Sequence, residues 1–300
     1  RKGDPDAVIQ NYQWALKFEP DYAEPYNNFG LALVDKKQFD AAIKCYRNSL
    51  KLKPGYEETY FNIGSALVQK GDYDSAIKNL QKALQIMPNH HNACNNMGAA
   101  LRAKGELQAA IKSYDSAIKI NPKNVDARYN KSLLLLNLES FKKGWPAYEY
   151  RWKKSKLDSV PTLSSRPKWH LGDQGRVLVW GEQGIGDEIM FSSLIPDLHA
   201  ACSHLIVKAD KRLIPILSRS FPKDIEFVEN SVPVAEDDYD AHIAMGSLPL
   251  HFRPNIESFK TAAQGYLSAD GKRAAALRDR LLSDGSEILI GLSWHSTSKI

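Results

Sequence analysis

The chain has 300 residues, 43% of them hydrophobic and 25% charged, with a formal net charge of +5. That composition is globular and excludes a collagen-like or wholly disordered chain, while the length suits two ordinary domains better than one core. No run approaches the ~18 apolar residues of a membrane span, and the opening Arg-Lys-Gly-Asp-Pro-Asp lacks the apolar core of a secretion signal.

The first half repeats with a period of 34 residues. Pro20, Pro54, Pro88 and Pro122 keep that step, as do Gly30, Gly64 and Gly98, with Ser132 in the fourth slot. Ala42, Ala76 and Ala110 follow, replaced by Gly144 in the last copy. Leu33, Leu67, Leu101 and Leu135 recur without exception, and Tyr46, Leu80, Tyr114 and Tyr148 supply a larger apolar group. Each unit reads as two antiparallel helices. In the first copy these are 24–34, with Tyr26, Phe29, Gly30 and Leu33 at helical spacing, and about 39–52, with Phe39, Ala42, Ile43, Tyr46 and Leu50 on one face. Glycine and alanine let the paired helices approach, and proline closes each unit because it cannot continue a helix. One pair cannot bury both of its faces, so the pairs must stack.

This pattern resembles the tetratricopeptide repeat. The chain opens on the second helix of one copy, about 6–19, followed by three full copies and a degenerate fourth. That start leads to the expectation that further repeats precede residue 1. A polar column, Asn28, Asn62, Asn96 and Asn130, runs in the same register on the first helix of each pair, which lines the concave wall of such a superhelix. An amide both donates and accepts, so four in register suit the backbone of an extended peptide, whereas any one of them suits a bond to the neighbouring helix equally well. The column resembles the asparagine ladder of the O-linked N-acetylglucosamine transferases, which implies peptide binding.

In the fourth unit the second helix becomes Phe141, Gly144, Trp145, Tyr148, Glu149, Arg151 and Trp152, an aromatic density that suits a cap. Pro146 is expected within about its first turn, where proline is tolerated. From Lys142 to Lys168 eight basic residues face two acids, so this stretch carries +6. It suits an acidic acceptor, a donor phosphate or a solvated junction; with no reading helix or aromatic strand pattern it points only weakly to nucleic acid. Residues 153–175 read as a connector, with Trp169 anchoring it to a surface.

An α/β pattern follows. Strands are predicted at 176–180, 204–208, 225–228 and 240–243, with helical runs after the first strand through Ile189, Phe191, Leu194 and Leu198 and again at 213–217. The alternation implies a parallel sheet with active groups at the carboxyl ends of its strands. The turn Gly181-Glu182-Gln183-Gly184-Ile185-Gly186-Asp187 matches neither the dinucleotide fingerprint nor the Walker A motif. What remains is a helix start, with Asp187 at or near the N-cap and Gly184 and Gly186 supplying turn dihedrals. Capping and a role as general base are compatible for Asp187, because capping fixes the carboxylate at the sheet's mouth.

Here the chain resembles a second family. The segment from Trp180 to Phe191 is similar to the EQG-x-GD-x-x-x-F signature of tetratricopeptide proteins that carry a glycosyltransferase domain. Gly144-Trp145 through Trp152, and Asp240-x-His242-Ile243 with Ser247-Leu248-Pro249, look like their other two motifs. The domain resembles the lipopolysaccharide heptosyltransferases, whose GT-B architecture pairs two Rossmann-like halves. The resemblance implies an α-solenoid of repeats (1–152), a basic junction (153–175), a Rossmann-like acceptor half (176–285) and the start of a truncated donor half (286–300). It makes Asp187 the base of an inverting transfer, with Glu182, Gln183, Gly184 and Gly186 around the acceptor. It places Trp294, His295, Ser296 and Lys299 at the donor phosphates. The donor would be a nucleotide-diphosphate sugar, with no permanently bound cofactor and no metal, and the fragment alone would be inactive. The competing reading is a repeat scaffold with a catalytically silent α/β domain. Expected partners are a protein or peptide on the concave repeat surface, the sugar nucleotide, and a second copy through the repeats; nucleic acid is not expected. Cys45, Cys94 and Cys202 lie too far apart for a disulfide framework or a zinc knot, so a reducing, cytoplasmic setting is expected.

Overall fold

The structure, a computed structural model, describes residues 21–154, 164–182, 184–260 and 265–281, with positions 10, 12, 14, 17 and 18. The chain divides into two compact units, Arg1–Leu157 and Asp158–Ile300.

In the first unit the described helices are α1 (Ala23–Asp35), α2 (Phe39–Leu52), α3 (Glu57–Lys70), α4 (Tyr73–Ile86), α5 (His91–Ala103), α6 (Leu107–Ile120), α7 (Val125–Asn137) and α8 (Phe141–Tyr148). They pair as α1–α2, α3–α4, α5–α6 and α7–α8, and each pair packs on the next. Most of the helix expected near 6–19 lies outside the described residues.

The small-residue columns do what their spacing predicts. A methyl group added to Gly30 would lie 2.3 Å from the Tyr46 ring, one on Gly98 2.6 Å from Tyr114, and one on Gly64 2.6 Å from Leu80. Ala42, Ala76 and Ala110 are fully buried. A second glycine requirement sits in the turn between paired helices. Gly71 (φ 88°) and Gly105 (φ 81°) are left-handed, and Lys37 (φ 58°) and Glu139 (φ 56°) take the same conformation in the other two repeats.

The fourth repeat departs from the others. Pro146 is the sixth residue of α8 rather than part of its first turn, and its missing N–H and ring deprive the Lys142 carbonyl of its helical partner. The helix ends two residues later, and Glu149–Lys153 continues as a 3-10 turn. Gly144 brings α8 onto Leu136, which a methyl group there would meet at 2.6 Å.

In the second unit four strands, β1 (Arg176–Trp180), β2 (His204–Ala209), β3 (Glu226–Glu229) and β4 (Ala241–Ala244), form an all-parallel sheet in the order β3-β2-β1-β4. Both central strands are apolar along nearly their whole length, as a sheet covered on both faces requires. The helical run after β1 is two helices, α9 (Ile185–Ser192) and α10 (Ile195–His199); Pro196, which has no N–H to continue α9, starts the second. Further on lie α11 (Ile214–Ser220), α12 (Leu248–Phe252), α13 (Glu257–Lys260) and α14 (Gly271–Leu281). Trp169 anchors the connector by burying its ring: it stacks on Phe252, and its Nε1 donates to the Asp173 carbonyl at 3.0 Å. Its flanking backbone pairs with His242 of β4.

Among the described residues no helix is long and apolar enough to cross a membrane. The three cysteines are unbonded thiols.

Candidate functional site

The strand order fixes where a ligand crevice can form. From β1 the chain steps to β2 and β3 on one side and returns to β4 on the other, so the connections leaving β1 and β4 diverge at their carboxyl ends. The loop after β1 carries Glu182, Gly184, Gly186 and Asp187; the turn after β4 carries Met245, Gly246 and Ser247.

Asp187 is not the N-cap. Gly184 caps α9, and Asp187 is its third residue, whose Oδ2 accepts the Gly184 N–H at 3.4 Å. The carboxylate is half-buried and points back over the helix start, where a negative group is favoured. Gly184 and Gly186 do not supply unusual dihedrals. Neither has positive φ, Gly184 is extended, and a methyl group on either would meet nothing within 4 Å. Their lack of side chains leaves the helix's first N–H groups open to approach.

Glu182 is 3% exposed and lies over Gly246, whose added methyl group would fall 2.1 Å from Glu182 Oε1. It therefore packs against the turn after β4, joining the two sides of the crevice. Gln183 lies outside the described residues, as do Trp294, His295, Ser296 and Lys299, so the expected donor-phosphate group is not placed.

Glu188 was invisible in the sequence. It is buried, its Oε2 accepts the Asp210 N–H at 2.7 Å, and its Oε1 accepts from Asn230 Nδ2 at 3.1 Å. One carboxylate thus ties the ends of β2 and β3 to the helix after β1, and Gly181 is glycine because a methyl group there would strike Glu188 at 2.4 Å. Burial raises its pKa, and the bonds from Asp210 and Asn230 oppose that rise. The only trace in sequence is an acid one position after Asp187, which reads as ordinary first-turn charge.

The third motif serves the sheet, at its far end and within its core. Asp240 receives the Arg176 side chain in two bonds and the Arg176 backbone N–H at 2.8 Å, at the amino end of β1. The Arg176 bonds pull its pKa down to about 2. His242 is buried on β4, and its Nδ1 accepts the Trp180 indole N–H at 3.3 Å; burial, then Lys168, lowers its pKa and keeps the ring neutral.

In the repeats, the asparagine column is spent partly on neighbouring helices. Asn62 Nδ2 donates to Asn27 at 3.0 Å, Asn130 Nδ2 to Asn95 at 3.1 Å and Asn96 Nδ2 to Ser65 at 2.8 Å. Each bond links successive first helices, and Asn28 is exposed. Asn27, which sequence reading passed over, is the hub of the first interface. It is fully buried and also accepts from Thr59, which contacts Ser49. Among the described residues no group of three or more His, Cys, Asp or Glu is placed to hold a metal.

Comparison with known proteins bears on the repeats. A family model described as TPR repeat matches residues 30–71, 64–101 and 98–138. Protein FlbA of Caulobacter vibrioides is 30% identical over 186 residues, which is 56% of this chain and 31% of FlbA. The match therefore spans under a third of that relative's length. Among solved structures, MamA is 26% identical with a TM-score of 0.45, covering 51% of this chain and 94% of its own. YrrB, described as a TPR protein with an unusual peptide-binding site, is 20% identical with a TM-score of 0.41, covering 48% of this chain and 74% of its own. The helix pairs across residues 30–138 are tetratricopeptide repeats.

Proposed function

We propose that this protein is an interaction scaffold whose repeats hold an extended segment of a partner protein along their first helices. The match of residues 30–138 to the repeat family carries this reading. The geometry adds its own support: successive first helices contact one another across the repeats, so they form the inner wall of the array, and amides recur along it. Selection from a random-peptide display library tests it. Enriched peptides should bind the intact chain and lose about tenfold in affinity, or about 1.4 kcal/mol, in Asn28→Ala, Asn96→Ala/Asn130→Ala and their combination. An unselective library, or peptides indifferent to all three variants while the helices stay folded, would overturn it.

A second reading is favoured by one observation: Asp187 and buried Glu182 both follow the carboxyl end of β1, and Glu182 lies over Gly246 in the turn after β4. On this reading the α/β unit is the acceptor half of an inverting glycosyltransferase. Asp187 takes the proton of an acceptor hydroxyl, that oxygen bonds to the anomeric carbon of a nucleotide-diphosphate sugar, and the diphosphate leaves with the bonding pair from the opposite face. The resemblance assigns Glu182, Gln183, Gly184 and Gly186 to the acceptor, and Trp294, His295, Ser296 and Lys299 to the departing diphosphate. Asp187→Asn should abolish sugar transfer by the full-length protein while leaving it folded, the lost charge at the helix start costing at most about 1 kcal/mol. Transfer at the parental rate would remove Asp187 from the chemistry.

A further inference from the structure

Four of the eight basic residues in the stretch singled out by its charge are engaged by the fold. Arg151 is buried, ion-paired to Glu149 at 2.5 Å and sandwiched by Tyr148 and Trp152. Lys153 lies over Tyr150, Lys154 over Tyr129, and Arg166 pairs with Asp237. Lys142 and Lys143 differ. Both are exposed, and among the described residues neither makes an ion pair.

These two lysines edge a groove of about 570 Å³ between the second helices of the third and fourth repeats, floored by α7. Its apolar lining comes from Ile111 and Ile118, each about one turn from Asp115 on α6, and from Leu135. Three local causes keep it open. α8 is 8 residues long where α2, α4 and α6 are each 14, and Pro146 limits its continuation. Gly144 draws α8 toward Leu136. At the position where Ile63 and Met97 close the earlier interfaces, the fourth repeat has Lys131, paired with Asp115 at 2.5 Å. That pair neutralises the groove's carboxylate and leaves Lys142, Lys143 and Arg128 as the charge a ligand would meet. Arg128 is itself held over Tyr150, with its Nε donating to the Pro122 carbonyl.

We propose that this groove docks an acidic amphipathic helix of a partner protein, its apolar side chains on Ile111, Ile118 and Leu135 and its carboxylates on Lys142 and Lys143. The charge sets the sign of the partner, and the apolar floor separates a helix from a bare polyanion. Its walls are second helices and its floor is α7, and neither Asn96 nor Asn130 lines it, so it is distinct from the amide column along the first helices.

The test uses the full chain and a labelled peptide with leucines at i, i+3 and i+7 and glutamates elsewhere. That peptide should bind, weakening with added salt, and should lose about tenfold or more in affinity in Lys142→Glu/Lys143→Glu. The same variant should gain binding to the matching leucine–lysine peptide, a reversal that damage to the fold would not produce. Asn96→Ala/Asn130→Ala should bind the acidic peptide as the parent does, which separates this site from the proposed peptide wall. Failure of the acidic peptide to bind, equal binding of both peptides by the parent, or no reversal in the double variant would overturn the proposal. Binding of poly-dT or anionic lipid vesicles as tightly as the peptide would assign the lysines to those ligands and overturn it as well.

Discussion

Glycine carries two different messages in this chain, and only coordinates separate them. Gly30 is glycine because the Tyr46 ring occupies the space of a side chain, so Gly30→Ala should cost about 1–3 kcal/mol, read as a lower denaturant midpoint at unchanged slope. Gly105 is glycine for its left-handed backbone in open space, so Gly105→Ala should cost about 1 kcal/mol through strain alone. At the equivalent Glu139, already left-handed, Glu139→Gly should be neutral or stabilise by up to about 1 kcal/mol, strain relief being offset by a more flexible unfolded chain. Gly186 belongs to neither class. It lies inside the first turn of α9 with room around it, so Gly186→Ala should leave thermal stability unchanged or raised by up to about 1 kcal/mol. A loss of ligand binding in that variant would then report the approach of a ligand to the helix start. The first message was legible as a 34-residue column. The second was present as Gly71 and Gly105 but masked by Lys37 and Glu139 in the same slot.

At the scale of elements, carboxylates at both ends of the sheet titrate below their ordinary range, and one buried carboxylate beside them titrates above it. Asp240 at the amino end is held to about 2 by Arg176, and Asp210 at the carboxyl end is held to about 2 by Arg212. A depressed carboxylate stabilises fully above its unfolded pKa of about 3.9 and loses that contribution as pH falls through the folded value. Tryptophan fluorescence of the α/β unit should therefore report falling stability from about pH 4 toward pH 2, with a shallower dependence in Asp240→Asn. Neutral His242 adds a loss of the same sign that begins higher, as pH falls below the ordinary histidine value of about 6.5. Glu188 works against both. Its pKa is raised, so it favours the folded state most below its unfolded value and less as pH rises through the folded one. Glu188→Gln should flatten that part of the profile while keeping an acceptor for the Asp210 N–H. The strands themselves were legible to within a residue or so, because short apolar runs between turn residues have few alternatives. The break between α9 and α10 was less so, since one continuous hydrophobic pattern covers both helices.

At the scale of the whole molecule, an array of repeats gains stability from each unit and its neighbours. Gly30→Ala should therefore accelerate hydrogen exchange in α1 and α2 most, and progressively less in α3 to α6; uniform acceleration across the unit would mean a single cooperative block. The sequence by itself determined the repeat architecture and the helix pairing, because a 34-residue period records contacts made again and again between equivalent positions. It also determined the parallel strands, whose apolar runs have one plausible use. Only the tertiary structure decided what each polar residue does. Asn62, Asn96 and Asn130 turned out to bond across helices, Glu188 to tie two strand ends to a helix, Asp240 to rivet the end of the sheet away from the crevice, and Lys142 and Lys143 to edge a groove. The physical reason is range: burial repeats locally and leaves a pattern, whereas a hydrogen bond or ion pair depends on one partner that can lie anywhere along the chain.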